Sequence, residues 1–225
     1  DRYSMNLQET MVNFAVDNQA EFHLQTGPVQ HTLLAGIDRM HSSVRSRAGY
    51  GDASPINYLN PDYSTPVEVP AFTSSTHSTL DQTGFYLQDQ LEWANWIMNL
   101  AGRYDAAKTK STNLLTDART ESNDYATTGR AGLLYHFDNG LAPYVSYSTS
   151  FVPSSTTDFY GHGFKPTEGK QTEMGLKYDP VGLDALFTLA LFNLRETNVA
   201  TPDPDHANYS VQTGEIRSRG IALDG

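Results

Sequence analysis

"LAPYVSYSTSFVPSS", residues 141–155, alternates with a period of two. From Leu141 every second residue reads Leu, Pro, Val, Tyr, Thr, Phe; the residues between read Ala, Tyr, Ser, Ser, Ser, Val. That is the pattern of a β-strand with one apolar, aromatic face and one small, hydroxylated face. It leaves one question open. A soluble sheet buries the apolar face in a core, whereas a membrane barrel turns it to lipid and keeps the polar face for its lumen.

The same alternation recurs on both sides. "VNFAVDNQAEFHLQ" (12–25) and "VQHTLLAGIDRM" (29–40) flank Gly27-Pro28, and "TGFYLQDQLEW" (83–93) and "WIMNLAGRYDAA" (96–107) flank Ala94-Asn95. "ATTGRAGLLYHF" (126–137) meets the opening stretch across Asp138-Asn139-Gly140. "KQTEMGLKY" (170–178) and "LDALFTLALFNLRET" (183–197) flank residues 179–182, and a last run occupies 208–225. Asn-Gly and Pro/Gly pairs between alternating runs are hairpin signals. About nine strands are expected, joined by connections that alternate short and long, with the long ones near 42–77, 108–123, 152–167 and 198–207. In an up-and-down meander this puts all tight turns at one end and all long loops at the other, the layout of an outer-membrane barrel. A Greek-key sandwich has no reason to keep that order.

The charges follow the faces. Met98, Leu100, Gly102 and Tyr104 lie opposite Asn99, Arg103 and Asp105; Met174, Leu176 and Tyr178 lie opposite Gln171, Glu173 and Lys177. Arg130, Arg217, Arg219 and Glu215 are read with Arg103 and Asp105 as lumen-wall charges. Asp89 interrupts an otherwise apolar face. Trp93, Trp96, Tyr135, Phe137 and Tyr178 gather beside the tight turns, as an interfacial aromatic girdle would.

Composition narrows the function classes. Charged residues make up 18% of the chain, below the roughly 25% of an ordinary soluble domain. The formal net charge of −11 argues against nucleic acid as a partner. With no cysteine, neither a disulfide framework nor a thiolate metal site is available. The seven histidines are scattered without metal-ligand spacing, and "TPDPDH" (201–206) lacks the Gly and Glu of an EF-hand loop, so no metal site is expected. No Gly-x-Ser-x-Gly elbow occurs, and no catalytic residue is assigned. The most apolar run, "ALFTLALF" (185–192), is too short for a membrane-spanning helix, so any crossing is made by strands.

Read in order, "TGFYLQDQLEW", "LAGRYD", "FDNGLAPYVSYSTSFVPSS", "GKQTEMGLKYD" and "FNLRET…GEIRSRGIALDG" resemble the middle of the barrel of a TonB-dependent siderophore receptor, nearest the ferrichrome-type hydroxamate group. The resemblance spans nearly the whole chain and is densest over 83–225. It implies an all-β fold, a transmembrane antiparallel up-and-down β-barrel of which residues 1–225 would form the central portion, without the plug domain and the C-terminal strands. It implies uptake of ferric siderophores, contact with outer-membrane lipid, and coupling to the TonB complex through the plug. Iron would arrive inside its ligand, so no resident cofactor is expected. Aromatic side chains give large, rigid contact area for a compact iron chelate. On that pattern Tyr50, in "SRAGYGD" at the top of an ascending strand, and Tyr125, at the top of a descending one, are the candidate ligand-contacting residues. Phe159, Tyr160 and Phe164 could close over the ligand from their loop. Two other classes share parts of the pattern: a passive diffusion channel without energy coupling, and a soluble β-sheet binding module that buries the apolar face.

Overall fold

A computed structural model describes residues 2–57, 59–64, 66–154, 156–180, 182–206 and 209–225. They form one curled antiparallel sheet of nine strands in simple meander order. The strands are β1 (Arg2–Thr26), β2 (Val29–Ala53), β3 (Ser74–Trp93), β4 (Trp96–Asn113), β5 (Arg119–Tyr135), β6 (Leu141–Val152), β7 (Thr167–Tyr178), β8 (Phe187–Pro202) and β9 (Ser210–Asp224). No helix is present among the described residues.

Exposure assigns the medium of each face. Val145 and Tyr147 are each 46% exposed and Met174 is 54% exposed, whereas the charged and polar Gln171, Glu173 and Lys177 on the opposite face are half-buried. The same inversion holds on β4, where Leu100 and Tyr104 are exposed but Asp105 and Thr109 are buried. Among the described residues only Ala107, Ala142, Phe164 and Ala190 are buried apolar residues. A water-soluble sheet cannot leave its apolar face outside while packing its charges inside, because apolar burial is the dominant drive to fold. The apolar face therefore looks to lipid and the polar face lines the lumen.

The apolar band has a membrane's height. On β4 its outward residues run from Trp96 through Met98, Leu100 and Tyr104 to Ala106, where Lys108 and Lys110 take over. At about 3.3 Å per residue and about 40° of tilt this is roughly 25 Å, the band of an outer-membrane barrel. Its lower rim is the expected girdle: Trp96 packs edge-on against Tyr135 at 4.7 Å, and Tyr135 against Phe137 at 4.7 Å. The upper rim carries Tyr104 stacked on Tyr125 at 6.4 Å. Above it, on the outward face, Lys108 pairs with Glu121, and Arg39 lies 3.8 Å from Asp81.

Several strands are longer than the periodicity suggests. β1 and β2 have 25 residues each, against 12 each for β6 and β7, while about 9–11 suffice to cross a bilayer. The additions lie beyond the band: on β1, Tyr3, Met5 and Leu7 face inward and Ser4, Asn6 and Gln8 outward, the reverse of the band's polarity, while 41–53 on β2 mixes polar, small and apolar residues. The long loops shrink accordingly: 54–73 and 153–166 remain, but 114–118 is as short as the 136–140 connection at the opposite end. The ends are distinguished by their aromatic rims more clearly than by loop length.

At the tight turns, Gly27 (φ 58°) and Ala94 (φ 50°) take the positive φ that a two-residue hairpin needs at its first position. Gly140 (φ 85°) is obligatory for a further reason, since a Cβ there would collide with the Asp179 carbonyl of the neighbouring turn. The seam between β5 and β6 is the shortest ladder, pairing Arg130–Leu134 with Tyr144–Ser148. Pro143, with no N–H to donate, ends it below, and the Thr149 hydroxyl, accepting from the Gly129 N–H at 2.9 Å, takes over above.

Candidate functional site

The lumen wall is built around one arginine. Antiparallel register places Asp17 opposite Asp38, Asp38 opposite Gly84, and Gly84 opposite Asp105, so one row across four strands carries three carboxylates and a gap. Arg103, one inward position below Asp105 on β4, lays its guanidinium over that gap. It donates to Asp105 from Nε (2.8 Å) and Nη2 (2.7 Å), and to Asp38 from Nη1 and Nη2. A side chain at position 84 would occupy the guanidinium's own place. Asp105 is buried, and Gln82 donates to it at 2.7 Å. The planar fork of an arginine suits this double role, which a lysine's point charge does not.

Tyr86 completes the group. Its ring lies 5.8 Å from the Arg103 guanidinium carbon, and its hydroxyl donates to Asp17 at 2.7 Å. The ring lies across Gly36 on β2, where any Cβ would strike it. Tyr144 lies across Gly175 and donates to Glu173 at 2.8 Å, and Phe192 lies across Gly220. Three aromatic rings each covering a glycine on the adjacent strand fill the inward face where the sheet curls, the arrangement known as aromatic rescue. With Arg130 and Ser148, the Asp17–Asp38–Tyr86–Arg103 group borders a concavity of about 440 Å³ on the lumen wall.

A second cluster forms among the loops beyond the band. Phe159 stacks on His206 with centroids 3.7 Å apart and meets Tyr209 edge-on at 5.0 Å, while Tyr160 meets His206 at 5.9 Å. This joins the 153–166 connection to the 203–209 connection. Below the cluster, the Lys165 N–H donates to Gln212 at 2.7 Å, and Gln212 donates to the Asn198 carbonyl at 2.8 Å. The Asp205 N–H and His206 Nδ1, each 2.9 Å from Asp203, hold the Asp203 carboxyl below its ordinary range.

The candidates read from sequence fall in different places. Tyr50 is on the inward face of β2, exposed, opposite Met5 and two residues from Asp52. Tyr125 shares the outward face of β5 with Leu133 and stacks on Tyr104 at the upper rim, so the structure does not bring it to Tyr50. Phe159 and Tyr160 are exposed within the loop cluster, but Phe164 is buried. Arg217, Arg219 and Glu215 require correction: register puts them on the outward face, where both arginines donate to Asn193 at 3.0 Å and Glu215 accepts from Arg195 at 2.7 Å. Asp89, the interruption in the apolar face, is matched by His31 on the adjacent strand, Nδ1 to Oδ2 2.8 Å. Sequence reading missed the Gly84 gap, the ring-over-glycine pairs and the contribution of His206. Their signal is cross-strand register, which a single strand does not carry.

Comparison with known proteins agrees with this wall. The whole chain, residues 1–225, matches the family described as TonB dependent receptor-like, beta-barrel. It is 40% identical over 216 residues to the ferrioxamine B receptor of Salmonella typhimurium, covering 96% of this chain and 31% of that protein. It is 40% identical over 225 residues to the ferrichrome outer membrane transporter/phage receptor of Escherichia coli, covering 96% and 30%. The chain thus spans about a third of the length of these relatives. Among solved structures, the unliganded ferric citrate transporter FecA superposes with a TM-score of 0.74 at 18% identity, covering 97% of this chain and 32% of that one. The ferric preacinetobactin receptor BauA of Acinetobacter baumannii superposes with 0.72 at 25% identity, covering 97% and 34%. The chain belongs to the TonB-dependent receptor-like β-barrel family, and its apolar band is the lipid-facing surface of an outer-membrane barrel.

Proposed function

We propose that this stretch is barrel wall of a receptor that binds ferric siderophores at the cell surface and carries them across the outer membrane by TonB-coupled active transport. The observation that carries the reading is 40% identity, over 96% of the chain, to receptors for ferrioxamine B and ferrichrome. On this reading the protein is a transporter and not an enzyme. Iron enters already chelated, so the wall needs no resident cofactor and supplies shape and charge instead of metal ligands. The TonB complex acts through a plug domain elsewhere in the receptor.

Tyr50 is the proposed ligand contact of this segment. It faces inward, and its ring is exposed beyond the band, where a large rigid surface can meet a compact chelate. In the full-length receptor, Tyr50→Ala is expected to weaken ferric-hydroxamate binding about tenfold or more, the loss of one aromatic contact, with barrel assembly intact. Tyr125→Ala, on the outward face, should leave the affinity unchanged. Isothermal titration with an iron(III) trihydroxamate checks both; unchanged affinity in Tyr50→Ala removes that residue from the site.

A further inference from the structure

The two faces of the sheet carry opposite charge. Pointing inward are Glu9, Asp17, Asp38, Asp52, Asp105 and Asp124, with Glu173 further along the wall, against Arg103, Arg130 and Lys177. Arg103 is already committed to Asp38 and Asp105, and Lys177 lies 5.7 Å from the Tyr144 ring centroid. Pointing outward are Arg39, Arg45, Arg47, Lys108, Lys110 and Lys170, opposed by fewer acids. The charge of the strands is therefore not spread evenly: acids predominate on the lumen side and bases on the outward side. Asp52 stands beside Tyr50 on the inward face, so the negative field and the proposed aromatic contact coincide.

We infer that this wall selects ligands by charge, favouring an iron(III) hydroxamate complex that bears a positive charge over a neutral or anionic complex of the same core; the inference rests on the siderophore reading above. A concave wall of one sign focuses its field into the space it encloses and raises the local concentration of the opposite charge. An exposed aromatic ring adds an attraction for cations that carboxylates alone do not give. Neither effect acts on the iron centre, which the hydroxamates enclose. Selection therefore falls on the rest of the ligand.

The test uses the full-length receptor and three iron(III) trihydroxamates that share one backbone: one with a free, protonated amine, one with that amine acetylated, and one with it succinylated. At about 10 mM ionic strength the association rate should fall in that order, by about tenfold between the cationic and anionic complexes. The gap should close towards 1 M salt, where the field is screened within about 3 Å. Glu9→Gln with Asp52→Asn should narrow the gap at low salt, with folded barrel confirmed by its heat-modifiable mobility. Equal rates for all three complexes, or a gap indifferent to salt, overturns charge selection and leaves siderophore binding standing. Failure of all three to bind overturns the siderophore reading and this inference with it.

Discussion

Val145→Arg is expected to lower the folding stability of the barrel by about 2–4 kcal/mol, the cost of an arginine near the bilayer midplane. Val145 lies midway along the outward face of β6, between Leu133 on β5 and Met174 on β7, and is 46% exposed. A guanidinium there has only hydrocarbon around it. One residue on, Ser146→Arg should cost less than about 1 kcal/mol, because lumen substitutions escape the lipid and Glu173, its partner on β7, is at hand to pair with it. Urea titration of the full-length receptor folded into lipid vesicles measures both. Equal costs at the two positions would mean that the faces do not see different media.

The second large effect concerns the arginine between two carboxylates. Arg103→Ala should lose about 1.5–3 kcal/mol, the range for hydrogen bonds to charged groups, because Asp105 is buried while Arg103 and Asp38 are half-buried. Asp105 is 3% exposed, and Asp38 faces it across Gly84, so both charges would remain without the group that neutralises them. Arg103→Lys should recover only part of the loss, since an ammonium cannot fork to both carboxylates. Gly84→Leu should lose stability with the arginine retained, because the new side chain fills the guanidinium's place. Vesicle refolding against urea reads all three; a loss below about 0.5 kcal/mol in Arg103→Ala, the scale of an exposed pair, would show that water and not the arginine neutralises these carboxylates.

How much of this was legible in the sequence depends on where each residue lies along its strand. Within the band, alternation is strong because lipid and lumen make opposite demands; Leu133 against Arg130, or Met174 against Glu173, therefore reads correctly from one strand. Beyond the band lipid no longer fixes the polarity: 2–8 alternates in the reverse sense, with Tyr3, Met5 and Leu7 inward, and 41–53 has no clean period, although both pair without interruption. "ALFTLALF" is apolar on both faces, since Phe192 is needed inside to cover Gly220, so it cannot set the parity of β8. That missing parity is why Arg217 and Arg219 read as lumen charges when their ladder with β8 turns them outward. Tyr125 shares this ambiguity: an aromatic near a strand's upper end suits a ligand site and a rim equally, and its outward direction, stacked on Tyr104, is visible only in the cross-strand register. The Arg103 group was beyond reach, because Asp38, Gly84 and Asp105 are brought together by register across three strands.

The central claim is that the face bearing Val145 and Tyr147 touches lipid while the face bearing Ser146 and Ser148 does not. The chain contains no cysteine to compete for label. Single-cysteine substitution at each of residues 144–148 in the full-length receptor, followed by spin labelling in vesicles, measures collision with lipid-soluble oxygen at each position. Oxygen accessibility should rise at 145 and 147 and fall at 144, 146 and 148, a period of two along β6. A flat profile, or one with its maxima at 144, 146 and 148, would contradict the assignment of the apolar face to lipid.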